Sequence, residues 1–385
     1  MSIIVALFMG LTVSAEEIIR DRKILKRESF LNLSRASYLL SKISILFTLS
    51  AIQTLTFVII GNSILGIHDM FFTHWLILFS TSCMANILGL NISSSFNSAV
   101  TIYILIPILL IPQLILSGVV VKFDKLNPSL SEIGKVPVVG EMMASRWAFE
   151  AAMVSQFKDN QYENRFYAFD QVMAACDYKR IYYIPELESR LEYCLNNLRD
   201  EREAIKQVIE KNLLLLRNEL PKELAIVGQD KFTRVNDLTL STFNGELYNE
   251  TMTFLETLSK FYSHRHQRAT EEKDKLLVGI NNTEEERKAF QQIKNDNYNE
   301  SIADVVKNQA EPQRIIERDS RLYQKIYPIY MTPQPGHLLD FRTEFYVPVK
   351  HFLGQYIDTF YFNILVIWSM SIFLIVTLYF DALGN

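Results

Sequence analysis

The chain has 385 residues, of which 49% are hydrophobic and 12% aromatic, and its formal net charge is -4. A chain of this length and composition suits one or two globular domains or a membrane protein. Most of its 43 acidic and 39 basic residues lie in residues 122–359, whereas the remainder is strongly apolar. The net charge therefore averages two unlike regions, and it predicts no nucleic-acid partner.

The apolar part contains uncharged runs that are long enough to cross a membrane. A helix needs about 20 apolar residues to span the hydrocarbon core of a bilayer, and globular helices are rarely apolar on every face. Four runs meet these conditions, namely residues 43–60, 71–92, 99–121 and 360–380. We therefore predict an all-α integral membrane protein and exclude a soluble globular one. Counting a shorter first run, about five transmembrane segments are expected.

That first run, residues 1–15, is apolar but too short to cross a bilayer alone. As a signal peptide it has a small-residue site at residues 13–15, but no basic residue precedes the apolar stretch. As the end of a span it predicts a further part of the protein upstream. We favour the second interpretation, in which the first transmembrane segment is partial.

The connection at residues 16–42 carries the basic residues of the N-terminal part. Basic connections remain in the cytoplasm, so alternation places residues 122–359 outside the cytoplasm and the short C-terminal tail inside. The predicted location is the inner (plasma) membrane, crossed several times. The basic residues are Arg20, Arg22, Lys23, Lys26, Arg27, Arg35 and Lys42.

These runs divide the chain into three predicted regions. Residues 1–121 form a core of four spans, residues 122–359 form a large helical extracytoplasmic insert, and residues 360–385 form the last span and its tail. Within the insert, apolar residues three and four apart predict helices over residues 185–220, 249–277 and 284–327. Four prolines between residues 327 and 348 predict an extended return to the membrane.

Polar side chains inside the spans are informative because they are costly in lipid unless they face protein or a pathway. Interhelical hydrogen bonds explain such residues equally well, so a substrate pathway and helix packing remain alternatives. The residues concerned are Gln53, His74, Asn86, Asn91 and Asn97.

The insert shows no convincing catalytic or metal-binding group. Cys176 and Cys194 form a candidate disulfide outside the cytoplasm, the alternative being two unpaired small hydrophobic residues. His264 and His266 flank Arg265 on a predicted solvated helix face, so we predict no metal site there.

No ATP-binding loop occurs in the chain. Such a loop requires a glycine-rich turn followed by lysine and then serine or threonine, but Gly134-Lys135 is followed by Val136. The sequence therefore predicts no catalytic residues and no cofactor in this chain. ATP and magnesium are expected on a partner domain.

Two stretches resemble a known transporter family. Lys26-Arg27-Glu28-Ser29, followed by Ser37-Tyr38 and Ser41-Lys42 before a span, is similar to the segment preceding the third span of white/ABCG-type ABC exporter permeases. Leu116-Ser117-Gly118 and the segment Ser145–Ala151 (SRWAFEA) resemble the end of that family's fifth span and part of its last external loop. The resemblance covers residues 1–157 and the final span.

This resemblance implies a type-2 exporter permease that forms the substrate pathway and is driven by an upstream or separate ATP-binding domain. It implies coupling to that domain through Arg27 and Glu28, and a homodimer or heterodimer of permeases. The family's last external loop is much shorter than residues 122–359, so its role does not carry over to the insert.

Other interpretations of the residues remain. The basic connection suits an interfacial helix lying on phospholipid head groups. The whole chain also suits a membrane-anchored sensor or structural protein whose external domain binds a partner. A lipid-modifying enzyme requires clustered His, Asp or Glu near a membrane interface, and no such cluster is evident.

Overall fold

The computed structural model describes residues 1–28, 34–67, 69–96, 98–121, 123 and 135–380. Two compact units are present. The first, here called the membrane unit, comprises Met1–Gln161, Ile293–Ile302 and Thr332–Asn385. The second, here called the insert unit, comprises Tyr162–Gln292 and Ala303–Met331. The predicted insert, residues 122–359, is therefore larger than the insert unit. Segments that come before and after the insert unit in the sequence belong to the membrane unit.

The first seven helices belong to the membrane unit. They are α1 (Ser2–Ser14), α2 (Glu17–Glu28), α3 (Arg35–Leu65), α4 (Phe71–Ser95), α5 (Ala99–Ile115), α6 (Val138–Glu141) and α7 (Ala144–Lys158).

The following elements are α8 (Glu163–Tyr178), a π-helical turn (Lys179–Tyr183), α9 (Ile184–Asn196), α10 (Glu203–Val227), α11 (Gly245–Ile280), α12 (Glu284–Asn297), α13 (Glu300–Lys307) and the antiparallel strands β1 (Ile315–Arg318) and β2 (Arg321–Gln324). The chain ends with the antiparallel strands β3 (Val349–Phe352) and β4 (Gln355–Asp358) and helix α14 (Thr359–Phe380).

The chain is an integral membrane protein with several apolar helices. Four helical stretches in the described residues are long and apolar enough to cross a membrane: Ser2–Ile24, Arg35–Leu65, Phe71–Ser95 and Thr359–Phe380. The first is longer than the predicted partial run because the helical path continues from α1 into α2. The apolar helix α5 is shorter than predicted, since it ends at Ile115. A turn follows in which Gly118 has a φ of 81°.

Helix α4 is the most enclosed of the membrane helices, with 83% of its most apolar window buried. Glycines permit its close approach to α1. A Cβ atom on Gly10 would lie 2.6 Å from the Ser82 carbonyl oxygen, and one on Gly89 would lie 2.0 Å from Ser14 Oγ. Small residues of this kind let membrane helices pack backbone against backbone, so α1 and α4 form a tight pair.

The insert unit is a helical body with a continuous apolar core. Leu187 and Leu191 of α9 pack with Leu213 and Leu216 of α10 and with Leu255 of α11. The predicted helix over residues 284–327 is wrong beyond α13, because residues 315–324 form the β1–β2 hairpin. Its turn residues Asp319 and Ser320 have φ values of 52° and 53°, the left-handed backbone that hairpin turns require.

The candidate disulfide between Cys176 and Cys194 is not formed. Both residues are buried free thiols, and Cys194 Sγ lies 3.8 Å from the carbonyl oxygen of Ile209. Each cysteine packs in the helical core as a small apolar side chain. The alternative of two unpaired small hydrophobic residues is therefore the one that the structure adopts.

Candidate functional site

The first candidate site is α2, whose beginning is held by the end of α4. The backbone N–H groups of Ile18 and Ile19 both donate to Ser93 Oγ, at 3.0 Å each. These groups lie in the first helical turn, where N–H groups have no partner within the helix. Arg22 adds a 2.7 Å hydrogen bond to the Ser94 carbonyl oxygen. Ser93 therefore acts as a cap supplied by another helix.

The start of α3 holds α2 from a second side. Lys42 Nζ lies 2.7 Å from a carboxylate oxygen of Glu17 and 2.7 Å from one of Asp21. The hydroxyl of Tyr38 donates to Asp21 at 3.2 Å, and Ile18 is buried against α3. Helix α2 is therefore linked by direct contacts to both α3 and α4.

The opposite side of α2 is open. Arg20, Lys23, Ile24 and Arg27 are exposed, and their spacing of three and four places them on one helical face. Ile24 is 53% exposed although it is apolar. We call these four residues the basic face. It presents three basic side chains around one apolar side chain, and one of them, Arg20, also pairs with Glu17 of the same helix at 2.7 Å. This pattern is suited to an acidic surface with an apolar recess.

Arg27 of this face was predicted from the sequence as a coupling residue, together with Glu28, whose side chain lies outside the described residues. Arg20, Lys23 and Ile24 were not predicted. Their helical spacing from Arg27 was the signal that would have found them.

The polar residues of the spans are placed against different neighbours. Asn86 donates to Ser50 Oγ of α3 at 2.7 Å. Asn91 donates to the Leu374 carbonyl oxygen of α14 at 2.9 Å and accepts from Thr377 at 3.1 Å. These contacts hold α4 against α3 and α14, as the helix-packing alternative expects.

The remaining polar residues are less enclosed. His74 Nδ1 lies 3.4 Å from Asn62 Oδ1, and both His74 and Gln53 are half-buried. Asn97 lies outside the described residues. A role of any of these side chains in a substrate pathway stays a prediction.

The second candidate site is a group of charges inside the membrane unit. Arg146 and Glu150 lie one turn apart on α7 and Lys350 lies on β3, and all three are 0% exposed. Charged side chains are almost never fully buried unless they are paired. We call these residues, together with Glu141, the buried charge cluster.

Glu150 is the centre of this cluster. Lys350 Nζ lies 2.7 Å from its Oε1 atom and also donates to Thr343 Oγ1 at 2.7 Å. Asn363, in the first part of α14, donates to Oε2 at 2.9 Å, and the Tyr346 backbone N–H donates to Oε1 at 3.2 Å. One carboxylate thus joins α7, the β3–β4 hairpin and the last span.

Arg146 lies between two carboxylates. Its Nη1 atom is 3.3 Å from Glu141 Oε2 and 3.4 Å from Glu150 Oε2. Its guanidinium group stacks 3.8 Å above the ring of Trp147. Within the described residues none of its three nitrogens makes a hydrogen bond of good geometry. Charge and ring contact, rather than directed hydrogen bonds, therefore hold this side chain.

The electrostatics of the two glutamates differ. Burial opposes the charged form of Glu150, but Arg146 and Lys350 outweigh it and hold the pKa of this carboxyl below its usual value. At Glu141 burial dominates and raises the pKa, although Arg146 lies beside it. Glu150 is therefore the anion that balances the cluster, and Glu141 is the carboxylate that takes up a proton more readily.

The charges of α7 were not predicted from the sequence, in which this segment carried only a resemblance. The available signal was an arginine and a glutamate four residues apart in a helix whose other residues are uncharged before Lys158. No local pattern pointed to Lys350.

Comparison with known proteins identifies a family match for the N-terminal part of the chain. Residues 1–157 match the ABC-2 type transporter family. No curated protein and no solved structure matches the chain. We call residues 1–157 the ABC-2-like segment. It contains the basic face of α2 and the α7 part of the buried charge cluster, but neither Lys350 nor the insert unit.

The predicted resemblance is thus confirmed at the level of ABC-2 type transporters. The ABC-2-like segment is similar to the membrane component of an ABC transporter, which is not itself the catalytic part. The white/ABCG subtype stays a prediction.

Proposed function

We propose that the chain is a membrane-spanning subunit, or part of one, of an ATP-driven ABC exporter of the white/ABCG type. Its helices form the substrate pathway, and an ATP-binding domain or subunit supplies the energy. The observation that carries this proposal is the match of residues 1–157 to the ABC-2 type transporter family. The sequence lacks a phosphate-binding loop, so ATP and magnesium belong to the partner.

The geometry of α2 supports a role in coupling. One side of α2 is fixed to Ser93 of α4 and Lys42 of α3, and the other presents the basic face. A partner that binds the basic face therefore acts on helices that hold the middle of the membrane unit. The concentration of basic residues supports a cytoplasmic location for this connection, where ATP-binding domains reside.

The partner surface is expected to be acidic and to offer a recess for Ile24. Two such permeases, identical or different, are expected to assemble around one pathway. By family resemblance the substrate is exported and is lipidic or amphipathic. The insert is expected outside the cytoplasm, where it gates the exit or recruits an envelope partner.

Affinity purification from native membranes tests this proposal. The detergent-solubilised chain is purified, bound proteins are identified by mass spectrometry, and the ATPase activity of the complex is measured. Recovery of an ATP-binding protein is expected. Charge reversal at Arg20, Lys23 and Arg27 together is expected to remove that protein, because the complementary charges then repel.

Arg268→Glu is a matched control, since Arg268 is an exposed arginine on helix α11. The control is expected to retain the partner. A chain that repeatedly purifies without any nucleotide-binding protein would favour the membrane-anchored sensor instead.

A further inference from the structure

The turn between β3 and β4 has an unusual residue at its tip. Leu353 and Gly354 form this two-residue turn with φ values of 50° and 81°. Turns with positive φ at both central residues strongly favour Asn-Gly or Gly-Gly, because a side chain with a Cβ atom strains the left-handed backbone. Leu353 is strained in this conformation, and its side chain is also 64% exposed. Strain of this kind points to a contact with something else.

Other exposed apolar residues lie beside this turn. The backbone N–H of Leu353 donates to the Leu338 carbonyl oxygen at 2.8 Å. Leu338 is 67% exposed and its neighbour Leu339 is 55% exposed. Tyr356 on β4 is also exposed, and its hydroxyl donates to the Pro333 carbonyl oxygen at 3.2 Å. We call Leu338, Leu339, Leu353 and Tyr356 the hairpin patch.

Aromatic packing fixes the position of the hairpin patch relative to the axis of α14, the last span. Phe352, next to Leu353, packs on Phe362 with ring centroids 5.9 Å apart. Phe341, three residues after Leu338, packs on the same ring at 6.0 Å. Phe362 lies in the first turn of α14, so the hairpin folds back along the helix instead of projecting beyond its end.

The length of α14 predicts that its first turn lies at the edge of the hydrocarbon. The helix has 22 residues and rises about 33 Å at ~1.5 Å per residue, close to the ~30 Å hydrocarbon thickness of a bilayer. An apolar patch at this level meets the boundary between head groups and acyl chains. Tyr361, in the same first turn of α14, is also exposed and adds an aromatic side chain to the apolar surface of the span.

We propose that the hairpin patch is an interfacial anchor that inserts into the lipid leaflet at which α14 begins. Leucine side chains gain from burial in the acyl region, and tyrosine is favoured at the interface, where its ring is apolar and its hydroxyl remains hydrated. A fluid lipid surface accepts these side chains without a matching shape. The same hairpin carries Lys350, so the anchor holds the buried charge cluster at a fixed depth.

Depth-dependent fluorescence quenching tests the anchor in the full chain. Leu353→Cys is labelled with a small environment-sensitive fluorophore and placed in lipid nanodiscs that contain a lipid with a nitroxide near its head-group end. Labelling is selective because Cys83, Cys176 and Cys194 are all buried. The unsubstituted protein measures the background. Leu338→Cys is a second probe, and both variants are checked for folding by size-exclusion chromatography.

Arg268→Cys is the control, since Arg268 is exposed on the charged helix α11. We expect nitroxide quenching at positions 353 and 338 to exceed that at position 268 several-fold. Quenching by aqueous iodide is expected in the reverse order. Iodide quenching as strong as at position 268 would place the patch in water and overturn the proposal. Protection from both quenchers would also overturn it, because a protein and not lipid would then cover the patch.

Discussion

Lys350 and Glu150 form an ion pair at 2.7 Å in which neither side chain is exposed to solvent. The two residues belong to a strand and a helix that are separated in the sequence by the whole insert unit. Because buried ions are costly to leave unpaired, this contact makes the position of α7 depend on the β3–β4 hairpin.

Lys350→Met leaves Glu150 buried with one cation fewer. We expect a loss of about 3–5 kcal/mol in the free energy of unfolding, as for other buried pairs that lose one partner. The double substitution Lys350→Met with Glu150→Leu is expected to recover a large part of the lost free energy of unfolding. Thermal unfolding of the purified protein in detergent measures the change.

Lys135 supplies the control for this experiment, since it pairs with Asp340 at 3.1 Å while 36% exposed. Lys135→Met is expected to cost at most about 1 kcal/mol, the usual range for partly exposed pairs. Equal losses in Lys350→Met and Lys135→Met would contradict the importance of burial.

Asp340 predicts a dependence of stability on pH. Burial opposes its ionisation, but the Gly336 N–H group and Lys135 outweigh burial and lower its pKa from 3.8. A carboxyl whose pKa is lower in the folded state stabilises the fold above its unfolded pKa and loses this effect as pH falls further. Asp340→Asn is therefore expected to be less stable than the parent at pH 6, by up to about 1 kcal/mol. The deficit should shrink below pH 3.8. A deficit that stays constant from pH 6 to pH 3 would argue against this ion pair.

Close packing of α1 on α4 predicts that a larger residue at position 89 destabilises the protein. Its added Cβ would meet Ser14 Oγ at 2.0 Å, so Gly89→Ala is expected to destabilise by about 1–3 kcal/mol through overpacking. Ser14→Ala in the same chain removes that oxygen and is expected to restore part of the loss. Gly61→Ala on α3 is the control, because nothing lies within 4 Å of the new atom. Melting temperatures in detergent compare the four proteins.

Ser93 caps α2 from a distance of more than seventy residues along the chain. Ser93→Ala is expected to cost about 0.5–2 kcal/mol, the usual effect of a lost helix cap. Faster hydrogen exchange at the amides of Ile18 and Ile19 is the direct readout. Ser95→Ala is the matched control, since the Ser95 hydroxyl donates to the Asn91 carbonyl oxygen one turn earlier in its own helix. Unchanged exchange at Ile18 and Ile19 in Ser93→Ala would rule out the cap.

The amino-acid sequence is sufficient to predict the membrane character of this protein and the approximate position of its long apolar helices. A helix that crosses lipid satisfies its own backbone, so a run of about 20 uncharged residues is sufficient information. The basic connection that forms α2, including Arg27, could also be predicted, because its charged residues are close together in the sequence.

Only the tertiary structure decided which polar groups meet. Glu150 and Lys350 are 200 positions apart, and Ser93 reaches α2 from the end of another helix. The β1–β2 and β3–β4 hairpins were missed because each strand has only four residues, too few to show a period. A disulfide between Cys176 and Cys194 was suggested only by their predicted location outside the cytoplasm. In the folded protein each of them is a buried thiol in the helical core. Such contacts depend on how distant helices and strands fold against one another, and no local pattern in the sequence records that geometry.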